Sequence, residues 1–287
     1  MDADRPEPKG PCMPKHQQSL AGFTESTFSH GNIRHQVFRA GAGPAVILIH
    51  EVPGIHPGVL DLARRLIGRG YTVYLPSMFG RPGGPAGEGI VQSIAKVCIS
   101  REFAVLANRS SPAAGWLRAL AVQVHQECGG PGVGAIGMCM TGSFALAMAL
   151  EPAVLAPVMS QPALPAGLTT RRRAAVGLDD TELARVKDRT AQGLRLLGLR
   201  FSNDRACPAE RFATMRREFG AGFEGIEIDS SPGNPFGIPQ SAHCVLTVDL
   251  VDTPGHPTQA ALDRTIEFIG ERLRPNPAST PETEEKS

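Results

Sequence analysis

The residues with the most chemical content lie in Gly137-Met138-Cys139-Met140-Thr141-Gly142, where a cysteine has short side chains two positions away on either side. Set between an apolar run and a small-residue run, this has the form of a nucleophile elbow, a strained strand-to-helix turn that lifts one side chain into the open. The helix after such a turn points its amides and positive dipole end at the thiol, which favours the thiolate and offers donors to an oxyanion. A thiolate nucleophile needs a histidine to handle protons and a carboxylate to orient that histidine. Candidates follow the cysteine in the order acid, then histidine: Asp204 in Ser202-Asn203-Asp204, then His243 in SAHCVLT or His256 in TPGHPT. Asp204 also fits a turn in which aspartate merely closes a loop, and His256 also fits a helix start because Pro257 follows it. A further carboxylate, Glu51, directly follows AVILIH.

These residues need a scaffold that brings strand ends together. AVILIH (Ala45 to His50) is apolar throughout, not alternating, as expected of a strand covered on both faces. A hairpin-like segment precedes it (Ser26 to Arg39), a helix follows (Leu60 to Leu66), and YTVYLP (Tyr71 to Pro76) reads as the next strand. A helix is predicted over Ala114 to Cys128, a strand and helix around the elbow, and strands at Val154 to Met159, Leu194 to Phe201 and Ile226 to Asp229. Helices are predicted from Pro208 to Glu218 and over PTQAALDRTIEFIGERL. This rhythm predicts an α/β fold with a mostly parallel central sheet and helices on both faces. One domain over 23–274 is expected, with insertions near 80–109 and 171–192, a disordered arm at 1–22 and a disordered tail at 275–287.

Composition excludes several function classes. With 29 Lys plus Arg against 28 Asp plus Glu, the net charge of +1 supplies no basic field, so no nucleic-acid partner is expected. No apolar stretch approaches membrane length, and the start of the chain has no signal-like apolar region; no membrane partner and a cytoplasmic location are the expectations. The six cysteines (12, 98, 128, 139, 207, 244) are too scattered for a zinc knuckle or a disulfide framework; all but Cys139 read as structural or incidental. Gly132-x-Gly134-x-x-Gly137 spells a dinucleotide fingerprint, yet its glycines lead into a strand instead of opening a helix after one. His50-Glu51 begins a zinc-protease pattern, but Gly54 stands where the second histidine belongs. Neither a cofactor nor a metal is expected. Arg171-Arg172-Arg173 reads as a solvated face offset by Asp179 and Asp180.

Taken together, AVILIHEVPGI with Glu51, GMCMTG with Cys139, LRFSNDRACPAERF with Asp204 and SAHCVLT with His243 resemble the dienelactone hydrolase family, a cysteine-dependent branch of the α/β-hydrolase fold. The resemblance runs from about Ala45 to Leu273 and implies a hydrolase of small esters or lactones that forms an acyl-Cys139 intermediate. It implies His243 as base and then acid, Asp204 as its orienting carboxylate, and the Val52 and Met140 amides as oxyanion donors. It further implies that Glu51 keeps the resting Cys139 thiol neutral, and Arg101 is a weak candidate for an anionic substrate. Two departures stand out: Thr141 occupies a usual glycine position in the elbow, with Gly142 beside it to relieve crowding, and the insertions lengthen the chain. The alternatives left open are a thioester or acyl-transfer enzyme and a non-catalytic ligand-binding or thiol redox-sensing protein.

Overall fold

The computed structural model describes residues 20–99, 111–164 and 169–274. Eight strands make one sheet: β1 (Thr24–His30), β2 (Ile33–Gly41), β3 (Ala45–Ile49), β4 (Thr72–Pro76), β5 (Val133–Met138), β6 (Val154–Ser160), β7 (Leu196–Phe201) and β8 (Phe223–Ile228). Their order is β1-β2-β4-β3-β5-β6-β7-β8. The β1–β2 and β2–β4 pairs are antiparallel and the other neighbours run parallel. The helices are α1 (Pro57–Gly68), α2 (Ile90–Ile99), α3 (Pro112–Cys128), α4 (Gly142–Met148), α5 (Thr170–Ala174), α6 (Asp180–Ala191), α7 (Ala209–Phe219) and α8 (Pro257–Leu273).

The unbroken apolarity of β3 has the expected cause. Ala45, Ile47 and Ile49 enter one core layer with Trp116 and Leu117 of α3 and Phe144 of α4. Val46 and Leu48 enter the other with Val59 and Leu62 of α1 and Leu262 and Phe268 of α8. With both faces covered, no position on the strand tolerates a polar side chain. Pro57 and Pro257 open α1 and α8, each preceded by a histidine whose ring accepts a backbone N–H in the first turn. Proline suits that position because the amide it lacks has no partner inside the helix.

Several expectations are adjusted. The 80–89 stretch lacks regular structure, but the same insertion contains α2. Residues 20–22 of the expected arm form a turn closed by Phe23 N–H on Leu20 O; the rest of that arm, the tail and Arg101 lie outside the described residues. Asp179 does not offset the arginine run: it caps α6 by accepting from Glu182 N–H, while Arg173 meets Glu210 at 2.9 and 3.0 Å. An aspartate at a helix start is worth more as an acceptor for orphan amides than as a surface counter-ion. Pro208 is the N-cap of α7, one residue before its first turn. No helix among the described residues is long and apolar enough to cross a membrane.

Candidate active site

Parallel strands β3 and β5 are in register from Val46 with Gly134 to Ile49 with Gly137. The residues that follow them, Glu51 and Val52 on one side and Cys139 and Met140 on the other, therefore emerge next to each other. They lie at the carboxyl edge of the sheet, where open α/β sheets bind ligands. Cys139 has φ +55, a left-handed conformation that costs a non-glycine residue on the order of 1–2 kcal/mol. Its neighbours hold it there. A Cβ on Gly137 would sit 2.2 Å from the Thr141 carbonyl oxygen, so only glycine lets the turn close.

Thr141 replaces the usual glycine without strain in the turn, because its hydroxyl is used. Buried completely, Oγ1 accepts Met138 N–H at 2.9 Å and has the carbonyls of Met138 (2.9 Å), Ile49 (3.0 Å) and His50 (3.2 Å) within reach of its one proton. It ties the elbow to the end of β3. Gly142 has ordinary helical geometry (φ −58) and relieves nothing in the elbow. What requires glycine there is Pro162, whose Cα and Cβ would lie 2.8 Å from an added Cβ.

Asp204 leaves β7 in a loop gripped by two buried arginines. Arg200 donates to the carbonyls of Ser202 (2.9 Å) and Cys207 (2.8 Å) and pairs with Glu227; Arg211 donates to Ala206 O at 3.1 Å and to Ala175 O at 2.7 Å. Asp204 Oδ1 accepts Ala206 N–H at 2.8 Å and Cys207 N–H at 3.2 Å, which leaves Oδ2 to meet His243 Nδ1 at 2.7 Å. It thus closes its loop and also orients the histidine. The His243 loop is pinned by Asp249 Oδ2, which accepts the amides of His243 and Cys244, both at 2.8 Å. Burial opposes charge on His243, but its hydrogen bonds to Asp204 and Cys139 outweigh that and push it up to about 10. His256 is elsewhere, capping α8 with Nδ1 2.7 Å from Thr258 Oγ1 and its ring against Phe236. The structure thus brings Cys139, His243 and Asp204 together and leaves His256 out.

Glu51 lies just beyond β3 at the same sheet edge as the elbow. Its buried carboxylate accepts His56 Nε2–H at 3.1 Å, Gln161 Nε2–H at 2.9 Å, the Thr247 hydroxyl and the Cys244 thiol. Among the described contacts, the thiol on Glu51 is that of Cys244; Cys139 is hydrogen-bonded to His243. Because Gly58 N–H donates to His56 Nδ1 at 3.2 Å, it is the Nε2–H of the ring that faces Glu51. Burial alone would raise the Glu51 carboxyl, but the hydrogen bonds from His56 and Thr247, the electrostatic attraction of His56 and the hydrogen bond from Cys244 reverse this and hold it below its ordinary value. Burial and the Glu51 carboxylate together push the Cys244 thiol far up. His50 is a spacer of the same edge: its Nδ1 bonds Glu51 O at 2.9 Å and its Nε2 accepts Met78 N–H at 3.0 Å, and burial pushes it down to about 4.

Sequence reasoning missed His56, Gln161, Cys244, Thr247 and Asp249. Gln161 had a usable signal, since it follows a central strand at the same edge as Glu51 and Cys139; Cys244 had only its adjacency to His243. Among the described residues, no group of three or more His, Cys, Asp or Glu side chains is arranged to hold a metal ion. A cavity of about 410 Å³ opens beside the histidine, lined by Asn203, Asp204, Arg205, Gln240, Ser241 and His243.

The dienelactone hydrolase family model matches residues 35–172, which include Glu51 and Cys139. The chain has the fold of a Klebsiella pneumoniae protein with a provisional dienelactone hydrolase name (TM-score 0.58, 18% identity, 87% of this chain and 98% of that one). A dienelactone hydrolase from Anabaena variabilis aligns with TM-score 0.55 and 15% identity over 88% of this chain and 100% of that one. The thermophilic esterase Est2 of Thermogutta terrifontis aligns with TM-score 0.53 and 14% identity over 90% and 96%. Comparison with curated proteins yields no match.

Proposed function

With residues 35–172 matching the dienelactone hydrolase family on an α/β-hydrolase fold, we propose that this protein hydrolyses small carboxylic esters or lactones through a Cys139 thiolate. The observation that carries the reading is the chain of contacts from Asp204 Oδ2 to His243 Nδ1 at 2.7 Å, and from His243 on to a Cys139 held at φ +55. A histidine raised to about 10 keeps the proton it takes from the thiol, so sulfur carries the negative charge that attacks the carbonyl carbon. The carbonyl oxygen becomes an oxyanion for the Val52 and Met140 amides to receive. Collapse of that adduct expels the alkoxide, which takes the proton from His243 and leaves an acyl-Cys139 thioester. His243, now neutral, removes a proton from water as it attacks the thioester; acid is released and the thiolate–imidazolium pair restored.

The test is incubation of the purified protein with aryl acetates and enol lactones, following turnover and intact mass. Turnover with a one-acyl mass gain that maps to Cys139, both lost in Cys139→Ala, is the expected result. Hydrolysis that persists in Cys139→Ala refutes the reading.

A further inference from the structure

Gln161 is the second non-glycine residue with positive φ (+36) among the described residues, and it stands fully buried one position beyond β6. Its N–H donates to Leu199 O at 2.7 Å, so the backbone is still tied to β7 as it turns. The carboxamide spans two loops. Nε2–H donates to Glu51 Oε2 at 2.9 Å, while Oε1 accepts the amide of Val245, two residues past His243, at 3.4 Å, and the hydroxyl of Ser160. Two residues on, Ala163 N–H donates to Cys139 O at 2.9 Å. One short segment therefore touches the Glu51 loop, the His243 loop and the elbow. The amide's orientation is dictated by its partners: a carboxylate requires the NH₂ and a backbone N–H requires the oxygen.

A non-glycine residue at φ +36 costs on the order of 1–3 kcal/mol, so the contacts around Gln161 must hold it there. The chemistry explains the choice. Glu51 is a buried carboxylate whose donors beside His56 are the uncharged Thr247, Cys244 and Gln161. A neutral donor fixes such a charge without cancelling it, whereas a lysine or arginine would cancel it and a carboxylate would oppose it. We infer that Gln161 is a positioning residue of the thiol site, whose carboxamide locks the charged Glu51 to the backbone of the histidine loop and so sets His243 against Cys139. The inference rests on the proposed thiol chemistry for its consequences in turnover, but not for its consequences in Cys139 reactivity.

The test compares Gln161→Glu with Gln161→Met, reading both ester turnover and the rate of Cys139 alkylation by iodoacetamide against pH. Gln161→Glu keeps the shape and places a second carboxyl on Glu51. Two carboxyls in one buried site share a proton, and while it is present one carboxyl's O–H donates to the other as the amide does. The titratable groups around this pair are His50 beyond β3, His56 at the start of α1 and Cys244 on the histidine loop; Cys139 in the elbow acts in turn on Cys244 and His243. At low pH Gln161→Glu is expected to approach the wild type, then to lose at least about tenfold relative to it as pH rises and the shared proton leaves. Gln161→Met is expected to lose a similar factor at every pH. Equal, pH-independent losses in both variants would make Gln161 a packing residue only, and wild-type profiles in both would remove any role; either overturns the inference. If the wild type hydrolyses no ester, the alkylation profiles still decide the matter, so failure of the functional reading is distinguishable from failure of this one.

Discussion

Replacing Asp204 with asparagine keeps the size and loop-closing oxygen of the side chain while removing its charge from His243. The Asp204–His243 contact is 2.7 Å, the carboxylate is almost wholly buried and the imidazole about one quarter exposed, so solvent screens the pair only modestly. His243 rises from 6.5 to about 10 against the opposing effect of burial, carried by Asp204 and Cys139 together. Asp204 gives the largest single support to that rise, and each pH unit of it lost with the charge corresponds to about 1.4 kcal/mol. The imidazolium then loses its proton at lower pH. The alkaline limb of acylation, which falls as pH rises through about 10 in the wild type, moves to lower pH in the variant. The asparagine NH₂ can also donate to Nδ1 and drive the ring proton onto Nε2, the nitrogen left to face Cys139. That wrong tautomer brings the expected loss of turnover to ~10²–10⁴. Burst-phase release of p-nitrophenol from its acetate, followed across the pH range, measures both effects. A rate in Asp204→Asn within about threefold of the wild type at every pH would refute the assigned role of Asp204.

Three further outcomes are expected. Thr141→Val leaves the buried Met138 N–H without its 2.9 Å acceptor, costing about 1–3 kcal/mol and lowering Tm, while Thr141→Ser retains most of the stability; equal Tm values for the two variants would exclude the hydroxyl's role. Gly137→Ala drives a Cβ to 2.2 Å from the Thr141 carbonyl and is expected to destroy Cys139 reactivity or folding, so normal alkylation in a soluble Gly137→Ala protein would show that the elbow is not so constrained. Stability should fall in both pH directions. His50, held down to about 4, stays neutral in the native state while the unfolded chain takes up a proton below about 6.5, so stability drops on acidification with a slope of up to ~1.4 kcal/mol per pH unit. His243, raised to about 10, contributes fully below about 6.5 and loses that contribution as pH rises through about 10. Urea midpoints measured across this range would show both limbs, and a flat profile would contradict both assignments.

Much of the scaffold was legible in the residues alone because it is written locally. Continuous apolar runs marked the doubly covered strands, Pro257 marked a helix start, and Gly137 with Cys139 marked the elbow, since steric closure there depends on neighbours within four positions. The order of Cys139, Asp204 and histidine was likewise visible, and so was the position of Glu51 at a strand end.

What only the tertiary structure decided are the contacts between loops that sheet order brings together. His243 and His256 are equivalent as residues; the choice follows from where β7 ends and from Asp249 pinning the amides of His243 and Cys244. Glu51 meets Thr247 across 196 positions of chain and Gln161 across 110, separations at which no local pattern signals a partner. Arg173 pairs with Glu210, 37 positions along the chain, while Asp179 accepts a helix amide. A sequence specifies its strands and turns through forces that act over a few residues. The charge state and partners of a buried carboxylate depend on every loop that desolvates it, and those are set only when the sheet has assembled.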